Sequence, residues 1–220
     1  MSAHVIVQIP SKVTRDQQTW RKEYKGEKSA VVAASATPAA ASPAKKFASK
    51  PAKTMGPPKM EYQARGFKWV VENQTKETAS GGLTVEVTDS KQQVYAYNCE
   101  GVTLQVKGKV KSVVLDKCTK VALVFESCIS SVEIVNCKRI QVQTTGICPT
   151  FTIDKTTGCL IWLSKESMAV SSFVASMSSE MNVSYPDEKS GDQKEVPIPE
   201  QFVHTLKDGS ITSEVSDLYH

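Results

Sequence analysis

The chain has 220 residues, a formal net charge of +4, six cysteines and three histidines. It has no N-terminal signal peptide and no apolar run of about 18 residues, so we predict a soluble, cytosolic protein without membrane insertion. Cysteines in that compartment stay reduced, which argues against a disulfide framework. No Cys-x-x-Cys pair occurs and no histidine has a partner at ligand spacing, so we expect neither a structural zinc nor any cofactor.

Positive charge is concentrated near the N-terminus. Residues 1–56 contain 10 Lys and Arg against 3 Asp and Glu, whereas residues 57–220 contain 17 against 20. Residues 29–58 are rich in Ala, Pro, Ser and Lys and offer little apolar surface to bury, so we predict a flexible linker. Nucleic-acid binding is disfavoured, because Phe47 is the one aromatic residue in this stretch and a binding stripe needs interleaved aromatics.

A 19-residue repeat dominates the chain from residue 94 onward. Apolar residues recur two positions apart inside each copy, which excludes an amphipathic helix and indicates short strands. A fixed period of about 20 residues indicates strands stacked in a coil. We therefore predict an all-β fold, a right-handed parallel β-helix of about six short rungs. The apolar positions are Val94, Ala96, Cys99, Val102, Leu104 and Val106 in the first copy, and later copies begin at Val113, Val132 and Phe151.

Stacking at about 4.8 Å per rung places equivalent side chains above one another. One predicted ladder inside the coil is Cys99, Cys118, Cys137 and Thr156. Cys159 also falls on a core position of the repeat. We interpret these cysteines as small buried hydrophobic residues.

The period loosens after the fourth copy. We align Ile161 with Met181 and Leu163 with Val183, a spacing one residue longer than the repeat, and Phe173 fits a lengthened rung. The open end of such a coil needs a cap or a partner, because free strand edges invite aggregation. An Asp-Gly dipeptide at 208–209 between two apolar stretches predicts a C-terminal β-hairpin extension. This hairpin either caps its own coil or pairs with that of another molecule.

The outward positions of the second strand in each rung predict a protein interface. They mix amides with apolar side chains and include a tryptophan, which is typical of a contact surface unless a later loop covers Trp162. These positions are Thr103 and Gln105, Ala122 and Val124, Gln141 and Gln143, and Leu160 and Trp162. A basic cluster along the bends suits an acidic partner. It comprises Lys107, Lys109, Lys111, Lys120, Lys138 and Arg139.

No catalytic constellation is present in the sequence. It lacks a glycine-rich phosphate loop, and it lacks a nucleophile with a histidine in the same region. Asp116 and Asp154 recur at one bend beside Lys117 and Lys155, which we interpret as a solvated charge pattern. We therefore expect a binding protein and not an enzyme.

Four strings resemble the C-terminal, actin-binding half of the cyclase-associated proteins. They are KWVVENQ at 68–74, LQVKGK at 104–109, SSEMNV at 178–183 and PIPEQF at 197–202. The resemblance spans about residues 66–216. It implies a β-helical actin-binding domain over residues 59–220 in a protein of the cytoplasm and cytoskeleton.

The resemblance also implies what this domain does. It implies binding of ADP-loaded actin monomers released by cofilin, promotion of their exchange to ATP, and homodimerisation by exchange of the C-terminal hairpin. Adenylyl cyclase is a further partner by family analogy. We expect actin contacts from Lys107, Lys109, Lys138, Arg139, Gln141 and Gln143, and dimer contacts from Phe202, Leu206, Ile211 and Val215.

Residues 10–14 resemble the WASP-homology actin-binding motif of the same family. Ser11 replaces a leucine-like or basic position, and the amphipathic helix that should precede the motif is too short to be stable. We therefore expect a degenerate actin-binding segment over residues 1–28, with Lys12 and Val13 as its contacts.

The alternative function is a GTPase-activating or tubulin-folding role, as in tubulin cofactor C and its relatives, which share this coil and stimulate GTP hydrolysis. They use an arginine finger two residues after a glutamine, in a string resembling Gln-Phe-Arg. The corresponding string here is QVQ at 141–143, and Arg139 is out of register by four residues. GTPase activation is disfavoured, because no guanidinium is aimed at the transferred phosphoryl group.

Overall fold

The computed structural model describes residues 55–187 and 189–217. The degenerate motif predicted over residues 1–28, with Lys12 and Val13, lies outside the described residues. Most of the linker predicted over residues 29–58 does so too. Within the described residues the fold is almost entirely β, as the repeat predicted.

Strands of the described chain form two seven-stranded sheets and one separate hairpin. The first sheet contains β1 (Lys59–Gln63), β2 (Lys68–Glu72), β4 (Gln93–Tyr97), β6 (Val113–Asp116), β8 (Ser131–Val135), β10 (Thr150–Asp154) and β12 (Ser172–Ser176). The second contains β3 (Leu83–Glu86), β5 (Thr103–Val110), β7 (Ala122–Cys128), β9 (Lys138–Thr144), β11 (Thr157–Trp162), β13 (Ser179–Pro186) and β14 (Gln193–Pro197). The hairpin is β15 (Phe202–Lys207) and β16 (Ser210–Val215), and the short helices are a 3₁₀ turn (Ala64–Gly66) and α1 (Lys165–Met168).

The chain alternates between the two sheets and so builds a coil. From β2 to β13 the even strands pair in parallel in the first sheet and the odd strands in the second, which makes six two-stranded rungs in the described residues. Val94 pairs with Val113, and Val113 pairs with Val132, so the register follows the period of the sequence repeat. The parallel β-helix is therefore confirmed.

The last rung is longer than the sequence suggested. Ile161 pairs with Val183, three positions beyond the residue that the repeat would place opposite it. The expected alignments of Ile161 with Met181 and of Leu163 with Val183 were therefore wrong. The added length includes α1, which is inserted between β11 and β12.

A side-chain ladder shapes the corner that precedes each strand of the second sheet. The amide of Cys118 donates to Sγ of Cys137 at 3.3 Å, and the amide of Cys137 donates to Oγ1 of Thr156 at 3.2 Å. This confirms the predicted ladder. The residue before each ladder position has a left-handed backbone, a conformation that asparagine tolerates better than most residues. These residues are Asn98, Lys117, Asn136 and Lys155.

The interior of the coil is a column of stacked apolar side chains. Residues from both sheets meet inside it, with β-branched side chains repeated from rung to rung. The lengthened rung continues the column, because the ring of Phe173 stacks 5.4 Å from that of Phe151. All six cysteines are buried and free, which confirms the hydrophobic interpretation of the four on core positions of the repeat, Cys99, Cys118, Cys137 and Cys159.

Antiparallel strands cover one edge of each sheet, and the C-terminal hairpin stands apart from both. β1 pairs with β2 in the first sheet, and β14 pairs with β13 in the second. The predicted hairpin is confirmed, with Asp208 and Gly209 at its turn. Both of its strands are exposed along their whole length, so it does not cap its own coil.

Gly108 lies where β5 bulges, at a φ of +88°, and an added Cβ would lie 2.6 Å from the carbonyl oxygen of Val87. We expect Gly108→Ala to lower the free energy of unfolding by about 2–4 kcal/mol, from left-handed strain of about 1–2 kcal/mol and overpacking against the backbone. Gly191→Ala is the matched control, since Gly191 has a φ of +77° and nothing within 4 Å of the added Cβ. Urea denaturation followed by circular dichroism measures both variants, and equal losses would contradict the close approach.

Candidate functional site

The outer surface of the second sheet is a flat array of amide and apolar side chains, which we call the amide face. It consists of Thr103, Gln105, Ala122, Val124, Gln141, Gln143, Leu160 and Trp162. The parallel register places Gln105, Val124, Gln143 and Trp162 in one row. Ala122, Gln141 and Leu160 form the row beside it. All of these side chains point outward from buried strands, as the alternation predicted.

The amide face contains a shallow groove of about 270 Å³. Its floor is low because Ala122 and Val124 have short side chains, while Gln141, Gln143 and Trp162 stand around them. Trp162 is half-buried and lines this open groove, so no later loop covers it. An aromatic side chain at the edge of a rigid groove with amides beside it matches the composition of protein contact sites.

A second depression of about 220 Å³ adjoins the first. Arg139, the second residue of β9, has a left-handed φ of 54° and lies on the same outward side as Gln141. Both residues line this depression together with Asn182 of β13. Lys138 is exposed at the corner next to Arg139. The structure thus brings Lys138, Arg139, Gln141 and Gln143 together along one strand.

Lys107 and Lys109 lie apart from that group. Lys107 is near the far end of β5, with its Nζ 3.9 Å from Oε1 of Glu86 on β3. Lys109 follows the bulge and lines a different cavity, of about 290 Å³, with Ile129 and Ile147. The six predicted coil residues therefore form three groups on the surface.

The outer surface of the first sheet holds a polar cluster that the sequence reasoning missed. The hydroxyl of Tyr95 donates to Oδ2 of Asp116 at 3.0 Å, and Nζ of Lys68 lies 4.1 Å from the centre of the Tyr95 ring. Burial, together with the hydrogen bond to Asp116, raises the pKa of Tyr95 to about 12. Nζ of Lys117 donates to the hydroxyl of Tyr97 at 3.1 Å. The sequence repeat could have indicated that these side chains are neighbours, because Tyr97 and Asp116 are one period apart and directly paired.

The predicted dimer residues form one exposed apolar face of the C-terminal hairpin. Phe202 pairs with Val215 and Leu206 pairs with Ile211, so all four share one side of the ribbon. Leu206 and Ile211 are 71% and 70% exposed. A two-stranded hairpin with no packing partner is marginally stable in water, so this face needs a covering surface.

The end of the coil carries an apolar groove of about 530 Å³. Side chains from β11, α1, β12, β13 and the segment after β14 surround it. They are Leu163, Met168, Phe173, Val183, Tyr185, Val196, Pro197, Ile198 and Pro199. This groove and the hairpin face are both large, open apolar surfaces among the described residues.

Two further findings concern the described residues as a set. No helix among them is long and apolar enough to cross a membrane. They also contain no group of three or more His, Cys, Asp or Glu side chains that could hold a metal ion.

Comparison with known proteins gives a consistent result. Cyclase-associated protein 1 of Arabidopsis thaliana is 41% identical over 171 residues, which cover 76% of this chain and 35% of that protein. Adenylyl cyclase-associated protein 2 of Homo sapiens is 39% identical over 201 residues, covering 90% of this chain and 39% of its own length. The chain therefore spans little more than a third of the curated relatives it matches.

A solved structure and a family model agree with these relatives. The crystal structure of a cyclase-associated protein from Cryptosporidium parvum matches with a TM-score of 0.68 and 37% identity, covering 73% of this chain and 96% of that one. Residues 56–218 match the family model described as "Adenylate cyclase associated (CAP) C terminal". That match includes both sheets of the coil and the hairpin, and it shows that this chain belongs to the family of cyclase-associated protein C-terminal domains.

Proposed function

We propose that this chain binds actin monomers, prefers those that carry ADP, and promotes exchange of ADP for ATP, so that it supports filament turnover together with cofilin. Membership of the cyclase-associated protein family carries this proposal. The amide face supports it, because it is a rigid outward surface with a groove and an aromatic residue at its edge. The chain acts by binding and needs no reactive group.

Exchange follows from differential binding. A protein that binds nucleotide-free actin more tightly than ADP-actin must weaken nucleotide binding by the same factor. A hundredfold acceleration of nucleotide release corresponds to about 2.8 kcal/mol of differential contact energy. Since the amide face is fixed on paired strands over a buried core, its backbone loses little freedom on binding.

We assign the main contact to Arg139, Gln141 and Gln143 with Lys138 beside them. Lys107 lies on the same sheet nearer its far end, and Lys109 extends the contact around the corner. Lys12 and Val13 supply a second, tethered contact to the same monomer. Tethering raises the effective concentration of the second contact, so two weak contacts act as one stronger contact.

The chain forms a homodimer in this proposal, with the C-terminal hairpin exchanged between copies. The exposed hairpin face and the apolar groove at the end of the coil support this arrangement, because each lacks a cover in the described chain and both are apolar. Adenylyl cyclase is a further proposed partner, and we propose that the protein acts in the cytoplasm at the actin cytoskeleton.

GTPase activation is the weaker alternative. Gln143 occupies the position at which a tubulin cofactor C relative carries its arginine finger, and Arg139 precedes it on β9 by four residues, about 13 Å along a strand. Without a guanidinium at that position the main stabilisation of the transferred phosphoryl group is lost.

Release of a fluorescent nucleotide from ADP-actin tests the proposal. We expect saturating full-length chain to accelerate release by about 10- to 100-fold, equivalent to about 1.4–2.8 kcal/mol of differential binding. The same measurement on ATP-actin should show a smaller effect. Unchanged release from ADP-actin at saturation would overturn the exchange function, and sedimentation with actin would then show whether binding alone remains.

A further inference from the structure

Two cysteines outside the ladder, Cys128 and Cys148, lie opposite each other on neighbouring rungs. The amide of Cys128 donates to the carbonyl of Ile147, the residue before Cys148, at 2.7 Å. Directly paired residues elsewhere in the coil share this hydrogen bond. Lys138 pairs with Thr119, and the amide of Lys138 donates to the carbonyl of Cys118, the residue before Thr119. Residues paired in this way have Cα atoms about 4.8 Å apart, inside the range of about 4.4–6.8 Å that a disulfide requires.

One member of this pair faces a surface cavity. Cys128 lines the cavity of about 290 Å³ beside Lys109 and Glu126. Ile129 and Ile147 also line it and are 44% and 46% exposed, so the cavity lies at the surface of the protein. Cys128 is 2% exposed and Cys148 is 0% exposed, so a small oxidant in this cavity approaches the pair from the Cys128 side.

The two thiols differ in acidity. The hydrogen bond from Cys148 lowers the pKa of the Cys128 thiol. The same contact, together with burial, raises the pKa of Cys148. The Cys128 thiol also donates to the carbonyls of Lys111 and Ser131, both at 3.3 Å. Cys128 is the member of the pair that lines the cavity, so we assign it as the attacking sulfur once it has lost its proton.

We propose that Cys128 and Cys148 form a dithiol site that hydroperoxides oxidise to a disulfide. The Cys128 thiolate attacks one peroxide oxygen, the S–O bond forms as the O–O bond breaks, and the departing hydroxide takes the proton that Cys128 released. The sulfur of Cys148 then attacks the sulfenic sulfur of Cys128. The S–S bond forms, the S–O bond breaks, and the leaving hydroxide takes the Cys148 proton as water.

The disulfide ties together two strands of the amide face. Cys128 is the last residue of β7, and Cys148 follows β9 by four residues. These strands carry Val124 and Gln143, which line the groove. Oxidation therefore locks the spacing of the strands beneath the groove, and a dithiol reductant releases it.

Hydrogen peroxide treatment of the full chain, followed by alkylation and non-reducing peptide mapping, tests the proposal. The tryptic peptide 121–138 contains both Cys128 and Cys137, so the mapping uses the Cys137→Ala variant beside the wild type. We expect peptides 121–138 and 140–155 to be joined with loss of two hydrogens in both proteins, and dithiothreitol to separate them. Cys128→Ser should abolish the link. In Cys148→Ser the sulfenic acid should persist at Cys128 and react with dimedone.

The ladder pair Cys118 and Cys137 is the matched control, because its residues also face each other on neighbouring rungs and are equally buried. A hydrogen bond from Cys118 lowers the pKa of the Cys137 thiol too, so the two pairs are alike in acidity. We expect the ladder pair to oxidise at least about tenfold more slowly, because neither Cys118 nor Cys137 lines the surface cavity that Cys128 lines.

Met177 is 80% exposed, so formation of its sulfoxide shows that the oxidant has reached the protein. If Met177 is oxidised while Cys128 and Cys148 both stay reduced, and are therefore both recovered in alkylated form, the proposal is overturned. Equal oxidation of the ladder pair would overturn it as well, because the cavity would then confer no selectivity.

Discussion

Replacing Gln141 and Gln143 together by alanine is expected to slow the actin nucleotide exchange that we propose for this chain by about 10- to 100-fold, or about 1.4–2.8 kcal/mol. Both side chains are exposed on β9 and line the grooves of the amide face. Each truncation removes hydrogen bonds of about 0.5–1.5 kcal/mol and leaves partner groups on actin unpaired. Release of a fluorescent nucleotide from ADP-actin measures the effect.

The position of the two glutamines makes this variant informative. Because they are exposed, their truncation should leave the thermal unfolding midpoint unchanged, so slower exchange would report lost contact. Glu133→Gln is the control, since Glu133 lies on the outer surface of the first sheet. If Glu133→Gln slows exchange and the glutamine variant does not, actin binds the first sheet and the amide face is the wrong assignment.

Replacing Leu206 by glutamate and Ile211 by lysine is expected to convert the proposed dimer to a monomer. The two residues are direct cross-strand partners, so the new charges attract each other and preserve the hairpin. Burial of each apolar side chain contributes about 1.5–3 kcal/mol, and a symmetric dimer contains four of them. The loss of at least about 6 kcal/mol corresponds to a dissociation constant raised by about 10⁴-fold. Analytical ultracentrifugation over a concentration series measures it.

The other side of the same hairpin supplies a matched control. Thr205 and Thr212 are also direct partners, and they face away from Leu206 and Ile211. Thr205→Glu with Thr212→Lys introduces the same charges without removing apolar surface, so this variant should remain a dimer. Dimers that survive the Leu206 and Ile211 substitutions would contradict the exchange of hairpins.

The repeat predicted the fold well because its physical cause is local. Alternation along a strand sends every second residue inward, and the stack places the residue one period later directly above, so Val94 and Val113 could be paired from the sequence. The same logic predicted the outward direction of Gln143 and Trp162. The prediction of paired residues failed at the last rung. The short helix α1 adds residues between β11 and β12 and so lengthens the spacing between paired residues, while the apolar pattern on either side stays the same.

The candidate site was only partly predictable. The four basic coil residues were chosen by charge and bend position, and Gln141 and Gln143 by their outward direction on the strand. The distance between two bends, however, depends on strand length and on the bulge at Gly108. That bulge carries Lys109 away from Lys107 and toward the cavity beside Cys128. The cluster of Tyr95 and Asp116 was missed because a hydrogen bond between neighbouring rungs joins residues that are 21 positions apart.

By itself the sequence determined the architecture: a coil with a 19-residue period, a stacked thiol ladder, an outward amide face and a terminal hairpin. These follow from alternation, stacking and turn chemistry, which act between residues at fixed spacing. Only the tertiary structure decided which surfaces remain open. The groove beside Trp162, the uncovered hairpin face and the cavity that Cys128 lines depend on how side chains from different rungs fill space together, and no spacing along the chain encodes that.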